Sequence, residues 1–310
     1  MKVGLYSITY LGIWYNGPAL TWKETLHKAK EYGYDGVEFD GKRPHANPMD
    51  WDRKTRDDVR NEAEKLGLEL PAIASNNDFS SPVPEHRECQ LLMVREQARL
   101  AADLGAKVVR LFAAWPGVTF RDGLAHYEEA RQTWQEAFQN LPRQIRWRLV
   151  RQCLKEAAAI GEEFGVVMAL QNHAPIIRHW KDCYDLVKEV NSPWLKVCLD
   201  LPIMTNYEKE WVRQAALTVG NLQVHSHFGG EFRRDDEGKI QLQSFRFAQP
   251  VPDYAHFIEL MKEIGYDGYI CFEFCHPTLD ENHNPAGIDY VDKHAAMAAE
   301  YMRELISTTR

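Results

Sequence analysis

Two stretches of this chain have nearly the same sequence: KEYGYDGVEFD beginning at Lys30 and KEIGYDGYICFEF beginning at Lys262. Each follows an amphipathic segment that predicts a helix. In each, a glycine (Gly33 or Gly265) stands where a helix would end in the left-handed conformation. A short apolar segment that predicts a strand comes next, VEF in the first copy and YICFEF in the second. The repeated unit is therefore helix, glycine, strand.

The same unit recurs along the chain. Three more copies predict strands near Leu70 to Ser75, Lys107 to Ala113 and Val166 to Gln171. Three further strands, in KVGLYS, WLKVCLDLP and LQVHSHFG, bring the total to eight. Eight alternating strands and helices in 310 residues predict one α/β domain, residues 1–310, folded as a (β/α)8 TIM barrel. The alternative, a doubly wound open sheet, would normally have a glycine-rich first turn, which YSITYLG is not.

Composition narrows the classes of function. The formal net charge of −8 disfavours non-specific binding to nucleic acid or to an anionic membrane. No apolar run approaches the roughly 20 residues that a membrane-spanning helix needs, and the N-terminus reads as a strand rather than a signal peptide. The six cysteines are scattered without a CxxC pair, which is typical of buried thiols in a reducing compartment. We expect a cytoplasmic protein that binds neither nucleic acid nor membrane.

Polar side chains end the last four predicted strands, and barrels of this class carry their active sites at the C-terminal strand ends. Gln171 ends strand five and Asp200 ends strand six. His225 and His227 are two residues apart on strand seven, so their side chains point to the same side of the sheet. Strand eight contains Glu273 in an otherwise apolar run. Two carboxylates, an amide oxygen and an imidazole predict a single divalent-cation site. In the alternative interpretation, Asp200 only caps a turn and Glu273 pairs with a lysine.

The ligand types bear on which cation would bind. Oxygen and nitrogen ligands without a thiolate favour Mn²⁺, with Mg²⁺, Co²⁺ and Zn²⁺ as the other candidates. We expect one cation per chain. Cys271 shares the parity of Glu273, so a zinc–thiolate site is the variant interpretation.

Strands five to eight carry Gln, Asp, His and Glu in that order, which resembles the xylose-isomerase-like TIM-barrel family of sugar isomerases, epimerases and AP endonucleases. The likeness covers nearly the whole chain, including GYDG before strand eight. The usual order in that family is Glu, Asp, His, Glu. Its ketose epimerases have a strand seven much like HSHFGGEFR, with the second histidine as ligand and a downstream arginine on the substrate. The resemblance implies His227 as the ligand and Arg233 as a substrate contact.

Two departures from the family pattern change the expected chemistry. Gln171 stands where the epimerases have a glutamate that is both ligand and base, and an amide cannot accept a proton, which argues against two-base epimerisation. Ile203 of DLPI replaces a histidine that often follows strand six. The extra histidine and aspartate ligands of AP endonucleases are also missing from an acidic chain, which argues against DNA repair.

The base is predicted by elimination. Asp200, His227 and Glu273 are assigned to the cation, and His173, on the parity of Gln171 just past strand five, is the remaining imidazole. We expect His173 and Glu273 to be the catalytic residues. In the alternative role, His173 only donates a hydrogen bond to the substrate.

The segments FDGKRPHANP after strand two and ASNNDF after strand three supply candidate substrate contacts. A polar loop stiffened by two prolines on the catalytic face suits sugar hydroxyls; the alternative is a solvated loop. Glu38 and Arg110 share inward parity and are candidates for an ion pair inside the barrel. The sequence has no glycine-rich or basic cluster for a phosphate, which favours a neutral sugar or sugar-derived ketone. The predicted substrate-binding residues are Glu38, Lys42, Arg43, His45, Asn76 and Arg233.

Long segments follow predicted strands four, seven and eight, and the one after strand seven reads as a charged hairpin. Such loops can bind an aromatic aglycone, form a lid or dock another subunit, or they are ordinary surface elaboration.

Three hypotheses of function remain. The glutamine-containing ligand set, the histidine base and the GKRPHANP loop most resemble the large subunit of C-glycoside deglycosidases. This implies a metal-dependent carbon–carbon lyase that removes a proton next to the ketone of a 3-oxo-C-glycoside and expels the aglycone, with a small β-rich partner subunit in an oligomer. A ketose isomerase or epimerase, which returns the proton, is the alternative. The third is a non-catalytic sugar-binding barrel.

Overall fold

Eight parallel strands close into a barrel in which each strand pairs with its neighbours in chain order, and the last pairs with the first. The structure is a computed structural model, and it describes residues 1–243, 251–280 and 282–309. The strands of these residues are β1 Lys2–Tyr6, β2 Gly36–Asp40, β3 Ala72–Ala74, β4 Val108–Leu111, β5 Thr119–Arg121, β6 Leu124–His126, β7 Val167–Gln171, β8 Leu195–Cys198, β9 Gln223–Phe228, β10 Glu231–Arg234, β11 Ile240–Gln243 and β12 Tyr269–Phe272. The barrel consists of β1, β2, β3, β4, β7, β8, β9 and β12, so the predicted (β/α)8 fold is confirmed.

Helices surround the barrel and fill the connections between its strands. They are α1 Trp22–Glu31, α2 Arg53–Leu66, α3 Pro84–Leu104, α4 Glu128–Phe138, α5 Arg143–Phe164, α6 Trp180–Val190, α7 Lys209–Val219, α8 Tyr254–Glu263 and α9 Ile288–Thr308. Of the described helices, none has the length and apolarity to cross a membrane. That residues 1–310 form one domain stays a prediction.

The long segments after the fourth, seventh and eighth barrel strands are present as predicted. The first holds the antiparallel hairpin β5–β6 before α4 and α5. The second holds the antiparallel hairpin β10–β11, as the charged-hairpin interpretation predicted, and residues 244–250 of this segment lie outside the described residues. The third runs from the end of β12 to α9.

The repeated sequence unit connects a helix to the next strand at the N-terminal end of the barrel. Gly33 and Gly265 adopt φ values of 79° and 71°, the left-handed region that glycine enters without strain. The following tyrosines are buried, and each donates its hydroxyl proton to a backbone carbonyl, Tyr34 to Ala295 and Tyr266 to Tyr269. The two copies thus lead into β2 and β12, the strands on either side of β1, but Tyr34 bonds to helix α9 and Tyr266 to the strand that follows it.

Alternation along the strands separates two environments. In β2, Val37 and Phe39 belong to the apolar layer between barrel and helices, while Glu38 and Asp40 point into the barrel. Small inward side chains such as Ala72 and Ala169 fill part of the barrel interior. The room that they leave is taken by polar side chains at the C-terminal strand ends, where the candidate site lies.

Several strands are shorter than predicted; β4, for example, is Val108–Leu111 rather than Lys107 to Ala113. β12 ends at Phe272 rather than Phe274, because the backbone N–H of Phe274 donates to the Thr9 side chain (3.1 Å) instead of to a strand. β3 is limited to Ala72–Ala74, and Pro71 before it has no N–H for the sheet. As a result Glu273 stands just beyond its strand, facing the mouth of the barrel.

Gly36→Ala should destabilise the protein by about 1–3 kcal/mol, because an added Cβ would lie 2.5 Å from the Glu69 carbonyl oxygen. That oxygen is fixed by the backbone, so the clash cannot be relieved by a side-chain rotation. Denaturant unfolding of both proteins measures the difference in free energy. Gly287→Ala is the matched control, since its Cβ would meet only the Asn16 carbonyl at 3.9 Å. Equal losses in the two variants would contradict the steric explanation.

Candidate active site and metal centre

Three of the predicted cation ligands form a buried cluster at the ends of neighbouring strands. Asp200 follows β8, and its Oδ2 lies 2.9 Å from Nδ1 of His227 on β9. Oδ1 of the same carboxylate accepts the backbone N–H of His227 at 2.8 Å. The side-chain amide of Gln171, at the end of β7, donates to Oδ2. All three side chains are at most 3% exposed. Sheet order thus brings these predicted ligands together, with His227 rather than His225 beside Asp200.

Glu38 lies on the other side of His227, inside the barrel. Its Oε2 is 2.8 Å from Nε2 of His227 and 2.8 Å from Nε2 of His225. The ring of His227 is therefore held between two carboxylates, Asp200 at Nδ1 and Glu38 at Nε2. The pairing of Glu38 with Arg110 considered from parity is wrong, because Glu38 faces the two histidines.

These contacts set the protonation of the cluster. Burial by itself raises the pKa of Glu38, but the imidazoles of His227 and His225 lower it well below the usual value of a glutamate. The same opposition holds for Asp200: burial raises its pKa, whereas His227 and Gln171 bring it below the usual range. Burial lowers the pKa of His227, and the two carboxylates raise it well above 6.5. Without a cation, His227 is an imidazolium between two carboxylates.

Glu273 completes the predicted set from the next strand of the barrel. It follows β12, which pairs with β9, and its backbone N–H donates to the carbonyl of Phe228 at 2.9 Å. The side chain is partly exposed and lines the cavity above the cluster. Burial raises the pKa of Glu273 to about 7, as expected of a carboxylate in surroundings that solvate its charge poorly.

Glu273→Gln should stabilise the cation-free protein at alkaline pH. Because the pKa of Glu273 is raised from 4.5 to about 7, folding favours the protonated carboxyl, and the stability present below pH 4.5 is lost as pH rises through 7. Glutamine has no such loss, so at pH 8 the variant should be more stable by about 1–3 kcal/mol. Thermal unfolding of chelator-treated proteins at pH 5 and 8 measures this.

The gain in melting temperature should be larger at pH 8 than at pH 5. Glu88→Gln, the same change on an exposed side chain of α3, should follow the parent at both pH values. A Glu273→Gln variant that is less stable than the parent at pH 8 would show that the ionised carboxylate is solvated better than its position suggests.

The cluster has the donor set of a divalent-cation site. Two groups of three ligand atoms lie within 4.8 Å of one another: Glu38, His225 and His227, and Cys198, Asp200 and His227. The Gln171 Oε1 atom is buried, and no described group donates a hydrogen bond to it. A buried amide oxygen without a donor is costly in a protein interior and suits a cation. The residues therefore fit the predicted ion.

Cys198, not Cys271, is the thiol beside the predicted ligands. Its Sγ lies 3.4 Å from Oδ1 of Asp200 and 3.8 Å from Nδ1 of His227. Burial raises the pKa of Cys198 and, well above its usual value, that of Cys271. A bound cation would itself deprotonate a coordinating thiol, so the zinc–thiolate variant stays open, with Cys198 in the place of Cys271. Cys198 precedes Asp200 by two residues and therefore points to the same side of the strand, so the sequence already indicated that this thiol lies near the site.

A cavity of about 540 Å³ opens above the cluster at the C-terminal ends of the strands. Its volume is in the range of pockets that hold small molecules. One wall is aromatic, with Trp14 stacked on Tyr127 (ring centroids 5.1 Å apart) and Phe112 stacked on Trp115 (4.9 Å). The polar lining includes Gln171, His173, Glu273, Lys42, Asn76, Arg110 and Arg131.

His173 stands in this aromatic wall. Its ring meets Phe112 and Trp115 edge-on, with centroids 4.9 and 5.1 Å apart. Nδ1 lies 2.5 Å from the carbonyl oxygen of Ala174, so this nitrogen carries the proton and Nε2 keeps its lone pair. Burial lowers the pKa of His173 to about 4. The imidazole is therefore neutral at physiological pH, although it is a weaker base than the sequence argument assumed.

The predicted substrate contacts divide into two groups. Lys42 and Asn76 line the cavity, and the Asn76 amide donates to Oδ1 of Asp40 at 2.7 Å. The Lys42 ammonium lies 3.8 Å from Oδ2 of the same carboxylate. Both can reach a molecule in the cavity.

Arg43, His45 and Arg233 are not among the described residues that line the cavity. Arg43 is exposed and forms a two-pronged ion pair with Asp50 (2.7 and 2.8 Å). His45 is fully buried, with Nε2 3.0 Å from the Leu20 carbonyl. Arg233 is exposed on the β10–β11 hairpin. Their assignment as substrate contacts stays a prediction that this placement does not favour, and Glu38, beneath His227, is likewise not in the cavity wall.

One polar network was missed from the sequence. Arg110 donates to the Tyr6 hydroxyl at 2.7 Å and to the Ser75 carbonyl at 3.0 Å, and Tyr6 donates to Oδ2 of Asp40 at 2.9 Å. Tyr6 and Arg110 both line the cavity. Tyr6 ends β1 with inward parity, which was a usable signal. That it would receive the Arg110 guanidinium could not be read from parity alone.

Fold and site together define a class of protein. Residues 26–301 match the sequence profile of the family described as xylose isomerase-like TIM barrel. Since the match spans most of the chain, the protein belongs to this family, as the order of residues on strands five to eight implied.

Several of the proteins that this chain resembles are named as sugar epimerases. SgbU of Haemophilus influenzae, provisionally named an L-ribulose-5-phosphate 3-epimerase, is 20% identical over 272 residues, which are 82% of this chain and 84% of that protein. The structure of 3-keto-D-glucoside 4-epimerase YcjR from E. coli superimposes with a TM-score of 0.66 at 18% identity, covering 96% of this chain and 99% of that one. IolI with a bound zinc atom has a TM-score of 0.70 at 17% identity, covering 100% and 99%. At these identities the structures share the fold.

Proposed function

We propose that this protein is a divalent-cation-dependent keto-sugar isomerase or epimerase, which removes a proton from the carbon next to a sugar ketone and returns it. The observation that supports this best is the meeting of Gln171, Asp200 and His227 under a cavity whose wall carries Glu273 and His173. The epimerase relatives favour this activity over the lyase activity that was the first hypothesis.

Gln171, Asp200, His227 and Glu273 would hold the cation, with Mn²⁺ as the first candidate by ligand type. When bound, such a cation polarises a carbonyl oxygen and stabilises negative charge that develops on it. IolI, a member of the same fold, binds zinc, so the identity of the metal has to be measured.

His173 would take the proton from the substrate carbon. Its Nδ1–H is held by the Ala174 carbonyl, and Nε2 is the nitrogen with a free lone pair. The rings of Phe112 and Trp115, both nearly perpendicular to the imidazole, fix its plane, which limits the directions from which it can act. Burial raises the pKa of Glu273 to about 7 in the cation-free site, but as a ligand of the cation this carboxylate would be ionised and less basic, which leaves His173 as the base.

The polar groups beside the cluster are suited to sugar hydroxyls. Lys42 and the amide of Asn76 are both anchored on Asp40, and the Arg110 guanidinium adds a fixed positive charge in the same region. YcjR acts on a 3-keto glucoside, and a neutral keto-sugar or keto-glycoside is the substrate class proposed here. A small β-rich partner subunit and an oligomeric state stay predictions.

The C-glycoside lyase is kept as a second candidate because of two observations. Gln171 cannot serve as the second base that returns a proton on the opposite face. The cavity also has an aromatic wall, Trp14, Tyr127, Phe112 and Trp115, that would suit an aromatic aglycone.

Deuterium exchange tests the proposal and separates the candidates. Chelator-stripped protein, reloaded in turn with Mn²⁺, Mg²⁺, Co²⁺ or Zn²⁺, would be incubated in D₂O with ketohexoses, ketopentoses and 3-keto-glycosides, including C-glycosides, and followed by NMR. We expect cation-dependent exchange next to the ketone and formation of an isomer. Release of an aglycone would support the lyase instead. Sugar binding with no exchange under any cation would leave the non-catalytic barrel as the function.

A further inference from the structure

Glu38 reaches across the barrel to the back of a predicted cation ligand. It projects from β2, three strands from β9 in the sheet order, and is fully buried. One oxygen, Oε2, lies 2.8 Å from the Nε2 atoms of both His225 and His227. Glu38 does not line the cavity, so the contact with His227 is its connection to the site.

The geometry dictates which nitrogen of His227 would carry a proton. An ionised carboxylate can only accept hydrogen bonds, so both imidazoles donate Nε2–H to Glu38. In a neutral His227 the remaining nitrogen, Nδ1, then carries a lone pair, and it points at Oδ2 of Asp200. With the amide of Gln171 on the same oxygen, this is where the proposed ligand atoms meet.

We propose that Glu38 is a positioning residue of the cation site, which holds the Nε2–H form of His227 so that Nδ1 is presented to the metal. His225 holds Glu38 in place by donating to the same oxygen. A carboxylate on the outer nitrogen of a ligating histidine fixes ring orientation and makes the ligating nitrogen more basic. The inference rests on the cation of the proposed function and not on the sugar chemistry.

Glu38, His225 and His227 could instead hold a cation of their own, since their ligand atoms lie within 4.8 Å of one another. If both groups held a cation, His227 would have to lose both of its protons, and two ions would be bound per chain. A single cation held by Glu38 would leave the proton of His227 on Nδ1, whereas a single cation at Nδ1 leaves it on Nε2. The stoichiometry of bound metal and the position of this proton together distinguish the arrangements.

The experiment compares Mn²⁺ binding by chelator-stripped parent, Glu38→Gln and Glu38→Asp proteins in calorimetry. Glutamine keeps the size of Glu38 but loses its charge, and we expect a 10- to 100-fold weaker affinity, about the loss measured for such partners in other metal sites. Glu38→Asp retains the charge and should recover part of the affinity. It also keeps the test decisive if Glu38→Gln does not fold. The exposed Glu88→Gln should bind like the parent.

Nitrogen NMR of ¹⁵N-histidine-labelled protein supplies a readout that a purely structural role would not move. In the parent loaded with diamagnetic Zn²⁺, because Mn²⁺ would broaden the signals of its ligands, His227 should show a proton on Nε2, and in Glu38→Gln this preference should weaken. Mn²⁺ affinity within twofold of the parent in both Glu38 variants would overturn the proposal. Two ions per parent chain, one of them lost with Glu38→Gln, would overturn it too, because Glu38 would then be a ligand.

A parent that binds no Mn²⁺ would refute both this inference and the cation of the proposed function. A parent that binds Mn²⁺ but exchanges no sugar proton would refute only the proposed function.

Discussion

Asp200→Asn should remove the bound cation and lower cation-dependent proton exchange by about 10³-fold or more. A cation on a developing negative charge contributes several kcal/mol to the transition state, and each 1.4 kcal/mol is a factor of ten in rate. Asp200 accepts hydrogen bonds from Gln171 and His227 and has a pKa below the usual range, so it is ionised when the ion arrives. The amide in the variant has no charge with which to hold either the imidazolium or a cation.

Two quantities are measured: the metal content of the reloaded protein and the rate of deuterium exchange in the sugar. Asp50→Asn is the matched control, because it makes the same change in a carboxylate that pairs with Arg43 on the surface. It should leave metal content and exchange as in the parent. Full metal content in Asp200→Asn would contradict the ligand assignment, and full exchange without metal would contradict the dependence on a cation.

His173→Gln should lower the exchange rate by about 10² to 10⁴-fold while leaving the bound metal and the fold unchanged. Glutamine can still donate a hydrogen bond to the Ala174 carbonyl, but it cannot accept a proton. Because the pKa of His173 is lowered to about 4 by burial, the imidazole is unprotonated at neutral pH. The rate in the parent should therefore stay level as pH falls from 8 to about 5 and drop only as the imidazole is protonated near pH 4.

His27→Gln on the outer helix α1 is the control for this change, and it should exchange like the parent. A His173→Gln variant as active as the parent would exclude His173 as the base. A parent rate that already falls below pH 7 would show that a group with a higher pKa than His173 carries the proton. The midpoint of the pH profile thus tests the assignment of His173 independently of the variant.

The barrel could be predicted because its signals are local. Each copy of the unit that contains Gly33 or Gly265 encodes a helix end and the strand after it, and eight strands in alternation leave few topologies for a chain of this length. Strand parity is local as well. It predicted that Gln171 and His227 point inward, and chain order placed their strands on either side of the one that carries Asp200.

The partners of these side chains were settled only by the closed barrel. The alternation of side chains along β2 predicts that Glu38 points inward. It does not predict that Glu38 meets His225 and His227, which lie three strands away. The distance between these side chains depends on how far the strands are staggered when the barrel closes. The loop after β2 shows the same limit. Lys42 faces the cavity while His45, three residues on, is buried against Leu20. Loop backbone has no fixed period, so packing against the rest of the molecule decides which of its side chains reach the site.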